Sequence, residues 1–287
     1  MVNIFININN NLGENILYNE IDNSLYWIDI NEMKLNIYNL ESLHHTIYDF
    51  KNKPCSYCFT TIKDILLIAF DDGFYYFNKY NRDIIKIESD YKQLESSRLN
   101  DGKADPYGNF ICGGFSEIYL QELWLVSNKT VYNIINSPKH KIWNATCFST
   151  DKLYMYCTDS PKKELWRYNY NIDNGSISNK TIIYTLYNTD LVFDGACVDR
   201  EDYIWVAIYN GSCVYRISPD GNLDKVINIP NDKYITSVCI GGLEMDTLFI
   251  VSGHFGERNN KDINGFIYSY TLDKPLGVIE NRFYLVP

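Results

Sequence analysis

A chain of 287 residues, 46% hydrophobic and 22% charged, has the composition of a globular protein with a sizeable core. A formal net charge of −10 and the lack of a long Lys/Arg run argue against nucleic acid as a partner. No stretch reaches the ~18 apolar residues of a membrane-spanning helix, which argues against the membrane. Tyrosine is the outlier at 25 copies, and aromatics at 15% fit a pleated, half-buried surface, so composition leans towards β structure.

In chain order, residues 2–8 read as a first strand. After it comes a three-part pattern: a turn cluster, a short apolar run, then a second run centred on an aromatic. The apolar runs begin at Leu25, Ile65, Phe110, Leu153, Ile204 and Leu248, spaced 40, 45, 43, 51 and 44 residues apart. Turn formers precede each of them, such as Asp22-Asn23-Ser24, Thr150-Asp151-Lys152 and Glu201-Asp202. The second runs include Tyr75-Tyr76-Phe77, Leu123-Trp124-Leu125, Leu165-Trp166 and Val214-Tyr215. Further strand-like stretches follow at residues 130–135 and 224–229. No long stripe has a helical period.

Short strands repeating every ~40–50 residues are the mark of a β-propeller with about four strands per blade. The expected fold is therefore all-β: one six-bladed propeller domain over residues 1–287, with antiparallel blades. Residues 2–8 are expected to close the ring by pairing near residues 265–270, which removes an exposed edge.

The start of each innermost strand would point at the ring axis. Counting back from the apolar runs places Glu14, Asn100, Asn144 and Asp194 there, 11, 10, 9 and 10 residues ahead of their runs. Two carboxylates and two amides in a confined site repel and desolvate one another unless a cation lies among them. Oxygen donors suit a hard ion such as Ca²⁺, Mg²⁺ or Mn²⁺. The same residues also serve as ordinary turn formers. Spacing alone leaves both readings open.

Several segments resemble the gluconolactonase, regucalcin (SMP-30) and luciferin-regenerating enzyme family. Leu12-Gly13-Glu14 with residues 25–29 (LYWID) is similar to its opening. Residues 98–108 (RLNDGKADPYG) resemble its RxNDGKxDPxG signature. Trp143-Asn144 with residues 156–160 (YCTDS), Asp194-Gly195 with residues 205–207 (WVA) and Asn210-Gly211, and Thr236-Ser237 with Gly241-Gly242 continue the likeness in order.

The resemblance implies one divalent metal ion (Ca²⁺, Mg²⁺, Mn²⁺ or Zn²⁺) held by Glu14, Asn144 and Asp194. It also implies substrate contacts from Arg98, Asn100 and Glu117, and Asp194 as general base. The implied activity is metal-dependent hydrolysis of a small lactone, such as a sugar lactone, or a related ester. The alternatives are a calcium-binding regulatory protein of the regucalcin type and a luciferin-regenerating-type enzyme. The chain departs from the family beside the ligands: Asn15-Ile16 replaces Gly-Pro, Ala145 replaces Gly and Phe193 replaces Pro. The bulky Phe193 and Trp143 are expected to line the pocket.

The eight cysteines are scattered. Cys55 and Cys58 form a CxxC with no second pair, so they read as small apolar residues in strands. The paired His44-His45 reads as a solvated outer-strand feature, and His140 and His254 lack partners at zinc spacing. His254 is a candidate for the channel rim. Asp101 either positions the site or caps a turn. Residues 1–11 lack the features of a secretory signal, and a glycan on the Asn144 sequon would fill the proposed site, so the expected location is the cytoplasm.

Overall fold

The computed structural model describes residues 1–134, 138–187, 190–257 and 263–286. Six four-stranded antiparallel sheets form the six blades of a β-propeller. Each predicted apolar run is the second strand of its blade, as in Ser24–Asp29, Ile65–Phe70 and Phe110–Phe115. Each aromatic-centred run is the third. The stretches at 130–135 and 224–229 fall on outermost strands, Thr130–Asn133 and Leu223–Asn228. Ile135 lies outside the described residues. The described residues contain one short helical element, a 3₁₀ turn at Ser160–Lys162. No helix among them is long and apolar enough to cross a membrane.

The sixth blade takes its three inner strands from the C-terminal part and its outermost strand, Asn3–Ile6, from the N-terminus. Asn3 pairs with Ser269, Ile4 with Tyr268 and Ile6 with Ile267, as the closure argument requires. Joining the two chain ends in one sheet also makes separating first from last blade cost a whole ladder of hydrogen bonds.

The core is a set of apolar layers between neighbouring blades, filled by large side chains such as Trp27, Trp143, Trp166 and Trp205. Buried indoles need a partner for their N–H. Trp27 donates to Asn10 at 2.9 Å and Trp205 to Asp199 at 2.9 Å. All eight cysteines are free and buried. Burial pushes their thiols up, Cys55 to about 12 and Cys213 to about 11, which keeps them unreactive.

The innermost strands are Gly13–Asn19, Pro54–Phe59, Arg98–Ala104, Trp143–Phe148, Val192–Val198 and Ile235–Gly241. Each is bulged near its start, as between Glu14 and Leu17, Asn144 and Cys147, and Phe193 and Ala196. A bulge re-aims the side chains beside it and breaks the in–out alternation. The channel's other end is covered by the C-terminal segment. There Arg200 N–H bonds the Leu276 carbonyl, Phe283 N–H that of Phe59 and Tyr284 N–H that of Gly108. Access to the axis is therefore from the end where the inner strands begin.

Candidate functional site

At that open end the bulges bring together Glu14, Asn100, Asn144 and Asp194 from blades 1, 3, 4 and 5. Asn100, Asn144 and Asp194 are each 7% exposed, and Glu14 is partly buried. The residue after the Glu14 carboxylate, Asn15, has φ 49°, and the residue after Asn144, Ala145, has φ 55°. That left-handed backbone favours glycine or asparagine, which explains why substitution of glycine there is a notable departure. Asn15 uses its side chain to advantage, its Oδ1 accepting from Tyr57 N–H at 2.9 Å.

A continuous hydrogen-bond chain fixes the two amides. Arg98 Nη1 donates to Asn100 Oδ1. Asn100 Nδ2 donates to the Trp143 carbonyl at 2.8 Å and to Asn144 Oδ1 at 2.9 Å. Asn144 Nδ2 donates to Ser160 Oγ at 2.9 Å, and Ser160 Oγ donates to the Phe193 carbonyl at 2.8 Å. The chain thus runs from Arg98 to the backbone that carries Asp194. Because its Nδ2 is committed to Ser160, Asn144 turns its oxygen towards Asn100 and keeps a second lone pair on it.

Both carboxylates are held well above their ordinary pKa. For Glu14 the causes are burial first, then the Asp194 charge and the Asp101 charge. For Asp194 they are burial, then the Asp101 charge. Arg98 favours ionisation of both without reversing the shift. Asp101 is also raised, by burial, while its Oδ2 accepts from Thr146 N–H of the neighbouring blade at 2.7 Å. Asp101 lies within an inner strand, ties it to the neighbouring blade and adds negative charge near the pair. Such a site is short of positive charge, and its donors are hard oxygens from two carboxylates and an amide. Among the described residues no group of three or more His, Cys, Asp and Glu is placed to hold a metal, so a cation here would depend on two carboxylates and an amide together. The oxygen set fits a hard divalent cation.

Outward from the amides, a cavity of about 440 Å³ lies at blades 2 and 3, lined by Arg98, Lys53, Asp71, Gln93 and Glu117 among others. Arg98 lies over the Phe115 ring, 4.5 Å from its centroid. Glu117 is exposed on the loop that follows strand Phe110–Phe115. It shares this cavity with Arg98.

Two expectations need correction. Trp143 and Phe193 are 0% exposed and pack between blades, so neither lines the pocket. The bulges beside them turn the ligand side chains to the axis and the rings into the core. Nor is His45 simply solvated: it stacks on Trp27 at 5.4 Å and its Nε2 lies 3.1 Å from Asn36 Oδ1. His140 packs on Trp143 and Trp166 with Asp159 3.6 Å away, and His254 is buried. What the sequence reading missed is Ser160, and the aromatic side of the open end, where Tyr209, Tyr234 and Phe255 cluster. Ser160 stood inside the YCTDS segment without a role.

A Bacillus subtilis protein named "Putative sugar lactone lactonase YvrE" is 30% identical over 244 residues, 84% of this chain and 83% of that protein. The solved structure of a luciferin-regenerating enzyme superimposes with a TM-score of 0.90 at 23% identity, covering 99% of both chains. A structure described as a calcium-binding protein, regucalcin, from Agrobacterium tumefaciens gives 0.89 at 21% identity, covering 98% of this chain and 97% of that one. The SMP-30/gluconolactonase/LRE-like region signature matches residues 12–254, and the chain belongs to that family.

Proposed function

We propose that the protein hydrolyses a small lactone or related ester, with Glu14, Asn144 and Asp194 holding one divalent cation at the open end of the channel. The observation that carries this reading is the repulsion between the Glu14 and Asp194 carboxylates beside an amide whose nitrogen is committed to Ser160 and whose oxygen keeps a free lone pair. The family's lactonase-type chemistry, and the lactonase name of the Bacillus relative, support the choice of substrate. A divalent cation there would supply Lewis acidity to the substrate carbonyl.

Asp194 would take a proton from the water that attacks the carbonyl carbon. It would return that proton to the ring oxygen as the acyl–oxygen bond breaks. Arg98, Asn100 and Glu117 would hold the polar groups of the substrate and so fix the carbonyl's approach. Asn100 is already oriented by Arg98, which limits the reorganisation needed on binding.

The test is hydrolysis of a lactone panel by chelated protein, before and after adding Ca²⁺, Mg²⁺, Mn²⁺ or Zn²⁺. Asp194→Ala should lose turnover and cation affinity together, and wild-type activity in that variant would end the scheme. Arg98→Ala should mainly raise KM, and loss of cation affinity there would overturn the division of roles. The same oxygen donors would serve a calcium-binding regulator, the reading the Agrobacterium structure's description favours. Cation binding without turnover on any lactone would select it.

A further inference from the structure

The open end has two unlike walls. Six blades in a ring put blade 5 across the axis from blade 2, and blade 6 across from blade 3. The wall at blades 2 and 3 is the cavity that carries the charged groups Arg98, Lys53, Asp71 and Glu117, with Phe115 and Ile118 among its lining. Across from it, Tyr209 ends the second strand of blade 5 and Tyr234 precedes the inner strand of blade 6, the two joined by a β-bridge. Their rings are stacked, with centroids 4.9 Å apart and planes 20° from parallel. Phe255 meets both edge-on, at 5.6 Å from Tyr209 and 5.1 Å from Tyr234. Its N–H bonds the Asn11 carbonyl at 2.8 Å, three residues before Glu14.

All three rings are only partly buried, and Phe255 backs onto the core layer that includes Leu12, which anchors the cluster at the rim. Phe255 also has φ 49°, a left-handed backbone that suits glycine or asparagine and is an outlier for a bulky residue. The ledge also adjoins the candidate ligands. After burial and Tyr234, the Asp194 and Glu14 charges contribute to raising the Tyr209 phenol. Partly buried aromatic rings beside convergent polar groups are the usual make-up of a small-molecule pocket.

We infer that the substrate is amphiphilic: a lactone or ester whose polar end enters the Arg98 cavity and whose apolar ring or short chain lies on the Tyr209–Tyr234–Phe255 ledge. The reacting carbonyl then falls between the two walls, over Glu14, Asn144 and Asp194. This rests on the hydrolase reading and narrows its substrate from lactones at large to those with an apolar substituent.

The experiment compares two lactones of one ring size, one bearing a phenyl and the other a hydroxymethyl group. kcat/KM is measured for wild type, Tyr234→Ala and Tyr234→Phe. The corresponding lactams, which resist hydrolysis, are titrated by calorimetry. Wild type should favour the phenyl lactone. Tyr234→Ala should cut the phenyl-to-hydroxymethyl ratio about tenfold, chiefly through KM, as the loss of one aromatic contact implies. Tyr234→Phe should restore it. A ratio within twofold of wild type in Tyr234→Ala overturns the inference, as does a wild-type preference for the hydroxymethyl lactone. Tyr234→Leu takes the place of alanine if that variant does not fold, with the same ratio read. Should wild type hydrolyse neither these lactones nor any member of the panel, the hydrolase reading fails, and phenyl-lactam binding still decides the ledge: weaker in Tyr234→Ala supports it, unchanged removes it.

Discussion

Ser160→Ala removes a single oxygen that serves two blades at once. Ser160 is 4% exposed; its Oγ accepts from Asn144 Nδ2 at 2.9 Å and donates to the Phe193 carbonyl at 2.8 Å. Alanine leaves that N–H and that carbonyl without this partner. An unpaired buried polar group costs about 1–3 kcal/mol, so the two together should cost about 2–4 kcal/mol, with some relaxation. For a chain of this length about 1 kcal/mol moves the melting midpoint by roughly 2 °C, which gives a drop of about 4–8 °C.

The second consequence is local. Without Ser160, the Asn144 amide keeps only the Asn100 N–H on its oxygen, and a rotated amide offers N–H groups to a cation. Loss of a partner that orients a metal ligand typically weakens binding about 10–100-fold. Thermal unfolding of the chelated protein reads the first effect, and calorimetric titration with Ca²⁺ or Mn²⁺ reads the second. Cation affinity within twofold of wild type, alongside the expected loss of stability, would refute the orienting role while leaving Ser160 a structural strap.

Three other outcomes follow from the same coordinates. Glu14 and Asp194 have raised pKa values in the folded state, so their contribution to stability is fully present below the unfolded carboxylate range, near pH ~4, and is lost as pH rises through the raised values. A cation favours the ionised pair, so the shift in melting midpoint it produces should grow from pH 5 to pH 8; equal shifts at both would contradict the pairing. Lys103 is buried, donates to the Ala196 carbonyl at 2.9 Å and lies 3.8 Å from Glu280 of the C-terminal segment. Burial pulls its ammonium down, but the surrounding charges, Glu280 first, more than offset this and hold it raised. Lys103→Met should therefore cost about 2 kcal/mol or more and should increase proteolysis of the C-terminal segment; unchanged protection there would dissociate the pair from the covering role. Leu43 is 64% exposed at φ 56°, where a side chain costs about 1–2 kcal/mol, partly offset by glycine's larger unfolded-state entropy. Leu43→Gly should raise stability by about 0.5 kcal/mol in denaturant unfolding, and a loss would show that its contacts outweigh the strain.

The ring was legible because its signal is one-dimensional. Strand runs recur at nearly constant spacing, and the second strand of a blade is apolar on both faces, as in Ser24–Asp29, so each run stands out without knowledge of its neighbours. The candidate axis positions were legible for a related reason: 9 to 11 residues before four of the runs lie Glu14, Asn100, Asn144 and Asp194, and the family resemblance then separated three candidate ligands from Asn100. Side-chain direction beside those residues was not. Alternation along a strand tells inside from outside only while the ladder keeps register, and the register shifts between Glu14 and Leu17, between Asn144 and Cys147, and between Phe193 and Ala196. Parity therefore fails at the ligands, and Trp143 and Phe193, which adjacency would put in the pocket, go to the core.

The aromatic ledge was hidden for a different reason. Among 25 tyrosines and 14 phenylalanines, no local pattern separates a rim ring from a core ring. Tyr209, Tyr234 and Phe255 meet only because strand ends of the neighbouring blades 5 and 6, far apart in sequence, arrive at one mouth. A constellation drawn from one residue per strand end carries no periodicity of its own. Since the metal-type ligands and the ledge both sit at strand ends, one rule governs them: the strand interiors determine that a ring forms, while its open rim can vary with little effect on that ring. On the proposed reading, the oxygen donors at the axis would set which chemistry is feasible, and the rim rings would set which substrate reaches it. On that division, substitutions at Tyr209, Tyr234 or Phe255 should redistribute activity among lactones. Substitutions at Glu14, Asn144 or Asp194 should reduce activity on all of them alike.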